Sequence, residues 1–255
     1  MTFVLLYGND GTGKSVLAKQ VLELSDSGEH WSLATKNRKL YEKSSINSSE
    51  LLAFNADDTV NPYKTMDAFH DRVAATVKLQ PDKVPKVIVV DEITLLRSLA
   101  QPVVIEEINR VRRSQNKFLI TKIGEQNAAA WARVNQLVYG ELEHLANWAV
   151  IHNVVIIAIT QLTELRTNIT DDEGQVKSVG TGTFVVDAKE NIRKLADVRI
   201  LTEKDGRNGR GFWITYEKTQ DWMAEILDGN NKPVYALKVD KDGLYKDLMA
   251  RGVIE

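Results

Sequence analysis

Three apolar runs that do not alternate with polar residues mark the chain: Phe3-Val4-Leu5-Leu6, Val87 to Val90, and Val154 to Ile159. A strand with one face in water alternates, so these runs predict strands buried on both faces of a parallel sheet, with helices on each side. The first run stops at Gly8, and the spacing of Val16, Leu17, Val21 and Leu22 then switches to that of a helix. Helical rhythm returns through Met66, Phe69, Val73 and Val77. It returns again through Trp131, Val134, Val138, Leu142, Leu145 and Trp148, a shared apolar face that predicts both tryptophans in the core. After Asp91, the residues Leu95, Leu96 and Leu99 predict a helix, and Pro102 predicts the start of a second one carrying Ile105, Ile108 and Val111.

Further on, Val198 to Leu201 and Phe212 to Tyr216 predict two strands joined by the turn Asp205-Gly206-Arg207-Asn208-Gly209, an antiparallel hairpin at one edge of the sheet. Residues 164–187, polar and rich in Thr, Gly and Asp, predict a long loop or a projecting hairpin. Pro233 to Val239 and Asp242 to Arg251 predict one strand and one short helix, too small for a separate domain. The order predicts an α/β fold, a largely parallel sheet flanked by helices with an antiparallel edge hairpin. Residues 1–226 are expected to form one domain, with 227–255 a small strand-helix extension packed on it.

Composition narrows the class. Of 255 residues 43% are apolar and 27% charged, and 33 basic against 35 acidic side chains leave a net charge of -2. A chain of this length buries enough surface to be stable without a disulfide or a metal. The absence of cysteine excludes disulfide frameworks, Cys-containing zinc modules and thiol catalysis, and suits a reducing compartment. No run approaches the ~18 apolar residues of a membrane span, and the N-terminus lacks the basic lead of a signal peptide. The expectation is a soluble cytoplasmic protein with no membrane contact. Near-neutral charge excludes coating of nucleic acid by bulk electrostatics and leaves room for a local basic patch.

Gly8-Asn9-Asp10-Gly11-Thr12-Gly13-Lys14-Ser15 fits G-x-x-x-x-G-K-[ST] at every fixed position, between a predicted strand and a predicted helix. Glycines there let the backbone fold into an anion-binding nest at the positive end of a helix. Lys14 is placed to reach the β- and γ-phosphates, and Ser15 to offer a hydroxyl to Mg²⁺. A second requirement is a carboxylate at the end of a neighbouring buried strand. Lys86-Val87-Ile88-Val89-Val90-Asp91-Glu92 supplies Asp91 for the metal, unless it only caps a helix, and Glu92 as the base that orients water. Asp57 and Asp58 compete with Glu92 for that task. Gln161, at the end of the third run, is a candidate γ-phosphate sensor if its strand lies between the other two.

With YGNDGTGKS, VVDEI, the Trp-led WARVNQLVYGELEHL, NVVIIAITQ and AKENIRKLADVRI together, the chain resembles phage-type RecA-like P-loop ATPases, a group that includes single-strand annealing and recombination ATPases. The resemblance spans about residues 1–220. It implies a RecA-like core, ATP with Mg²⁺, action on DNA, single-stranded in the first instance, and a homo-oligomer such as a ring or filament. A single-strand-binding protein is a further partner it suggests, with the host cytoplasm as the setting of a viral protein. On this resemblance Lys14 and Ser15 match the phosphate-loop pair, Asp91 the acidic end of the second motif, and Gln161 the polar residue leading into a DNA-facing loop. The chain departs from typical RecA recombinases in placing the candidate base, Glu92, directly after Asp91.

Residues 164–187 set two cations against five carboxylates, a poor DNA grip. Asn109 to Lys122 instead holds Arg110, Arg112, Arg113, Lys117 and Lys122 with Phe118 among them and no acidic residue, a candidate nucleic-acid contact or else a solvated helix end. Lys218 resembles the cation that RecA-like proteins offer to a neighbouring subunit's ATP, with Arg207 and Arg210 as competitors. His30, His70, His144 and His152 show no ligand spacing and read as ordinary helix or surface residues. Two other functions fit a P-loop: a nucleotide kinase, for which residues 164–187 make a poor lid, and a nucleotide-gated DNA-packaging or assembly protein with little turnover.

Overall fold

The computed structural model describes residues 2–33, 40, 46–124, 127–170, 176–186, 190–205, 211–220, 223, 225, 227, 230, 232, 234–240 and 242–254. The strands are β1 (Thr2–Gly8), β2 (Gly28–Ser32), β3 (Asn47–Glu50), β4 (Val87–Asp91), β5 (Val155–Thr170), β6 (Val176–Val186), β7 (Val198–Lys204), β8 (Phe212–Lys218) and β9 (Ala236–Val239). The helices are α1 (Lys14–Leu24), α2 (Pro62–Thr76), α3 (Ile93–Ser114), α4 (Ala128–Asn135), α5 (Glu141–His152), α6 (Glu190–Leu195) and α7 (Gly243–Ala250). A single sheet runs β3-β2-β4-β5-β1-β7-β8-β9, with β6 paired to β5 outside this path. From β3 through β7 neighbours are parallel, while β8 and β9 join antiparallel.

The unbroken apolar runs are explained by helices on both faces. Phe3, Leu5 and Tyr7 of β1 point into a core shared with α2 to α5, while Val4 and Leu6 point the other way, toward α1 and α7. Every one of these five side chains is essentially inaccessible. The predicted hairpin of β7 and β8 forms, and β9 extends that edge outward. The predicted C-terminal helix, α7, packs on α1 through Leu244 and Leu248. A buried polar knot fastens it: the Tyr216 hydroxyl donates to Asp247 Oδ2 at 2.5 Å, and Arg251 Nε donates to the same oxygen at 2.9 Å.

Three local readings change. Pro102 lies inside α3, which continues unbroken to Ser114. Leu99, Ala100 and Val104 around it are buried, and their packing outweighs the one backbone hydrogen bond a proline removes. The Trp131 to Trp148 rhythm is carried by α4 and α5 joined through a π turn, Gln136–Gly140. Trp148 is buried, whereas Trp131 is half-buried with the Arg97 guanidinium 5.2 Å from its ring. Lastly, β2 was hidden by its composition: Glu29, His30, Trp31 and Ser32 are all buried. Glu29 pairs with Arg72 of α2, and His30 Nδ1 lies 2.8 Å from Ser48 Oγ of β3. His30 is therefore a core residue, and burial holds its pKa down at about 3.

Residues 164–187 contain the projecting hairpin. β5 pairs with β1 only as far as Gln161, then runs on to Thr170 against β6, from Leu162↔Val186 outward. A register shift between Glu164 and Arg166 bends it near its base.

Candidate nucleotide site

All the parallel strands end at one edge of the sheet, and the P-loop crosses that edge at its centre. β5 lies between β1 and β4, as the sensor reading of Gln161 required, and the register sets Gly8 beside Gln161 and Asp91 beside Ile159. Sequence-distant residues thus converge because β1, β4 and β5 share a direction and a finishing line.

The loop from Gly8 to α1 needs its glycines for different reasons. Gly11 (φ 77°) and Gly13 (φ 89°) adopt left-handed backbone that side-chain-bearing residues resist. At Gly8, a Cβ would fall 2.4 Å from the Thr202 carbonyl oxygen and 2.7 Å from Thr12 Oγ1. Gly13 is the N-cap of α1 and caps it with no side chain, so no capping group competes with an anion for the helix's first N–H groups. Lys14, 7% exposed, donates from Nζ to the carbonyls of Gly8 at 2.8 Å and Asn9 at 2.9 Å. Its ammonium arches over the loop at the place where phosphate oxygens would compete for it. Thr12 is bound in place as well: its hydroxyl lies 2.8 Å from the Asn9 carbonyl and 2.9 Å from Thr202 Oγ1 of β7. Thr202, fully buried, itself donates to the Tyr7 carbonyl at 3.1 Å.

A cleft of about 560 Å³ opens over this loop, lined by Asp10, Gly11, Gly13, Lys14, Ser15, Val16, Leu40, Glu92, Lys204 and Phe212. That volume suits a nucleotide-sized ligand. Asp91 ends β4 with its side chain fully buried, and Glu92 follows at the N-cap of α3, where its carboxylate makes no capping bond. The cap position therefore belongs to Glu92, not Asp91, and Glu92 lines the cleft. Asp57 and Asp58 lie elsewhere, in an exposed turn between the bridged residues Phe54 and Val60. Asp57 accepts from the Thr59 hydroxyl at 2.6 Å and the Thr59 amide at 3.2 Å, bonds that hold its carboxyl below the usual range. Gln161 is partly exposed at the point where β5 leaves the sheet; its backbone N–H donates to Thr94 Oγ1 at 3.1 Å, and Thr94 and Thr160 hydroxyls lie 2.9 Å apart. Thr94 thereby ties β5 to the first turn of α3.

The donor set fits magnesium. Ser15 and Asp91 offer hard oxygen ligands, and among the described residues no cluster of three His, Cys, Asp or Glu side chains could hold a metal by protein groups alone. An ion here would complete its shell with phosphate oxygens and water, the usual manner of nucleotide-bound Mg²⁺.

Other candidates are distributed differently. Lys218 pairs with Arg199, at the far end of β8 from Phe212, which pairs with Lys204 at the cleft. Six residues of strand put its backbone roughly 20 Å from the cleft end of its own hairpin. Arg207 and Arg210 lie outside the described residues. In the basic segment, Arg113 is held by Glu106 through bonds of 2.6 and 3.1 Å, and Arg112 Nε donates to the Phe118 carbonyl. Glu106 lies just upstream of the apparently acid-free stretch, and helical periodicity could have revealed the pairing. Arg110, Lys117 and Lys122 are exposed, and Phe118 is 93% exposed. Sequence reasoning does not reach Thr202, Lys204 and Phe212, since no spacing rule links a hairpin near residue 200 to a loop near residue 10, nor Thr94, whose bond to β5 joins residues 67 apart.

Among the described residues no helix is long and apolar enough to cross a membrane. No curated protein sequence matches the chain. Among solved structures, a KaiC-like protein, PH0186, from the hyperthermophilic archaeon Pyrococcus horikoshii OT3 is similar with a TM-score of 0.43 and 16% identity, over 95% of this chain and 87% of that one. The sequence profile of the ATPase family associated with various cellular activities (AAA) matches residues 4–200. With a P-loop on a central strand of a largely parallel sheet and that match spanning most of its length, the chain belongs to the AAA family of ATPases.

Proposed function

We propose that the chain is a Mg²⁺-dependent ATPase acting on DNA in recombination, single-strand annealing, replication or repair, of viral or phage origin, and working as an oligomer in the host cytoplasm. The observation that carries this reading is the course of β5. One strand passes Gln161 beside the P-loop and continues into the β5–β6 hairpin, so the nucleotide site and an outreaching element share a backbone.

Lys14 exchanges its two carbonyl partners for phosphate oxygens, and the N–H groups at the start of α1 bind the same anion. Mg²⁺, when bound, would neutralise phosphate charge. Ser15 and Asp91 would hold that ion, and Glu92 accepts the proton of a water aligned for attack on the γ-phosphorus. Gln161 meets the terminal phosphate and transmits its loss through Thr94 and β5. DNA contact falls to the exposed Arg110, Lys117, Lys122 and Phe118, with Arg112 and Arg113 holding the surface in shape.

The test is phosphate release with and without single-stranded DNA, using wild type, Lys14→Ala and a Lys117→Ala/Phe118→Ala/Lys122→Ala variant. Wild type is expected to be stimulated by DNA, Lys14→Ala to be inactive, and the triple variant to keep basal turnover but lose the stimulation. Turnover in Lys14→Ala at the wild-type rate overturns the site. DNA-independent turnover by a protein that does not bind DNA overturns the partner.

A further inference from the structure

The cleft has two unlike flanks. On the β4 side Glu92 lines it, directly after the buried Asp91. On the other side, beyond β5, β1 and β7 in the sheet, stands Phe212 at the start of β8. With about 4.8 Å between neighbouring strands, the flanks are roughly 19 Å apart at the backbone, with the P-loop between them. Phe212 is not a bystander at that position. A Cβ built on Gly13 would fall 2.1 Å from Phe212 Cε1, so the ring rests directly against the last glycine of the phosphate loop. The ring is partly exposed and lines the cleft with Val16 and Leu40, an apolar wall in an otherwise polar site.

We infer that Phe212 is the nucleobase platform of this site: the base of the bound nucleotide stacks on its ring. The inference rests on the nucleotide reading above and specifies its second half. If the terminal phosphate meets Lys14, Ser15 and Glu92, the nucleoside has to extend toward the opposite flank, because a triphosphate seated in the loop is directional. The group awaiting it there is an aromatic face, which stacks any base and prefers the larger purine surface. The platform is held by two constraints. Backbone pairing with Lys204 sets its height, and contact with Gly13 sets its distance from the phosphate loop.

Calorimetric titration with ATP and with inorganic tripolyphosphate, both with Mg²⁺, tests this without reading activity. Wild type, Phe212→Leu and Phe212→Tyr are compared. Leucine keeps an apolar contact on Gly13 but removes the ring. The expected result is an ATP affinity about tenfold or more weaker in Phe212→Leu, near wild-type ATP affinity in Phe212→Tyr, and equal tripolyphosphate affinity in all three. Equal losses for ATP and tripolyphosphate in Phe212→Leu would overturn the inference and make Phe212 a prop for the loop. Unchanged ATP affinity in that variant overturns it too. A wild-type protein that binds neither ligand refutes the nucleotide site itself, and the platform with it.

Discussion

Glu92 and His30 show how position decides what one ionisable side chain does. Glu92 is 6% exposed, lines the same cleft as Lys14 and Ser15, and makes no capping bond to the helix it begins. Glu92→Gln is expected to retain ATP affinity and to lower turnover by ~10²-fold or more, the scale of losing a positioned base. Asp57→Asn, in its exposed turn, is expected to leave turnover unchanged; single-turnover phosphate release on both variants checks the pair. His30 is inaccessible and neutral, with its pKa lowered from 6.5 to about 3 by burial. The unfolded chain binds a proton there below pH ~6.5 and the native chain does not, so this residue costs stability as pH falls and costs nothing above pH 7. Between pH 7 and pH 5 the loss amounts to about 2 kcal/mol. Urea unfolding at the two pH values is expected to show that difference in wild type and a correspondingly smaller one in His30→Gln; identical slopes would locate the proton elsewhere.

At the level of elements, what the sequence made legible follows the range of the forces involved. The P-loop, the Asp91 strand and the β5 strand were legible because each is written in contiguous residues: a glycine pattern, or an apolar run ending in a polar group. β2 was not, since Glu29 and His30 look like surface residues until Arg72 and Ser48 arrive from other elements to satisfy them. Local chemistry makes Pro102 a helix boundary, and tertiary packing overrides it. Thr202 and Phe212 support the loop through a sheet neighbour that no periodicity announces. The C-terminal extension offers a direct test of how firmly a late element is joined. Asp247 and Arg251 are 5% and 3% exposed, and Asp247→Ala leaves a buried guanidinium without its carboxylate and Tyr216 without its acceptor. The expected destabilisation is about 3–5 kcal/mol, read as a fall in the urea midpoint. Asp247→Asn, which keeps an acceptor oxygen, is expected to recover part of it.

The whole molecule presents its own P-loop at one edge of the sheet and Lys218 toward the other. We propose that Lys218, whose backbone lies at the end of β8 away from the cleft, serves a neighbouring chain's triphosphate in a head-to-tail assembly. Turnover per chain is then expected to rise with protein concentration, and Lys218→Ala to lower it with nucleotide affinity intact. Mixing Lys218→Ala with Lys14→Ala protein is expected to restore part of the activity, because one interface in the mixture joins a sound P-loop to a sound lysine. A monomer with concentration-independent turnover excludes that arrangement. The single strand β5 has a mechanical consequence besides. From Leu162 to Thr170 it makes an arm of roughly 30 Å pivoted at Gln161, so a tilt of about 5° at the pivot sweeps the far end through nearly ~3 Å. Any change of angle where β5 leaves the sheet is therefore magnified along the arm before it reaches the tip, and the length of the paired strands sets the gain.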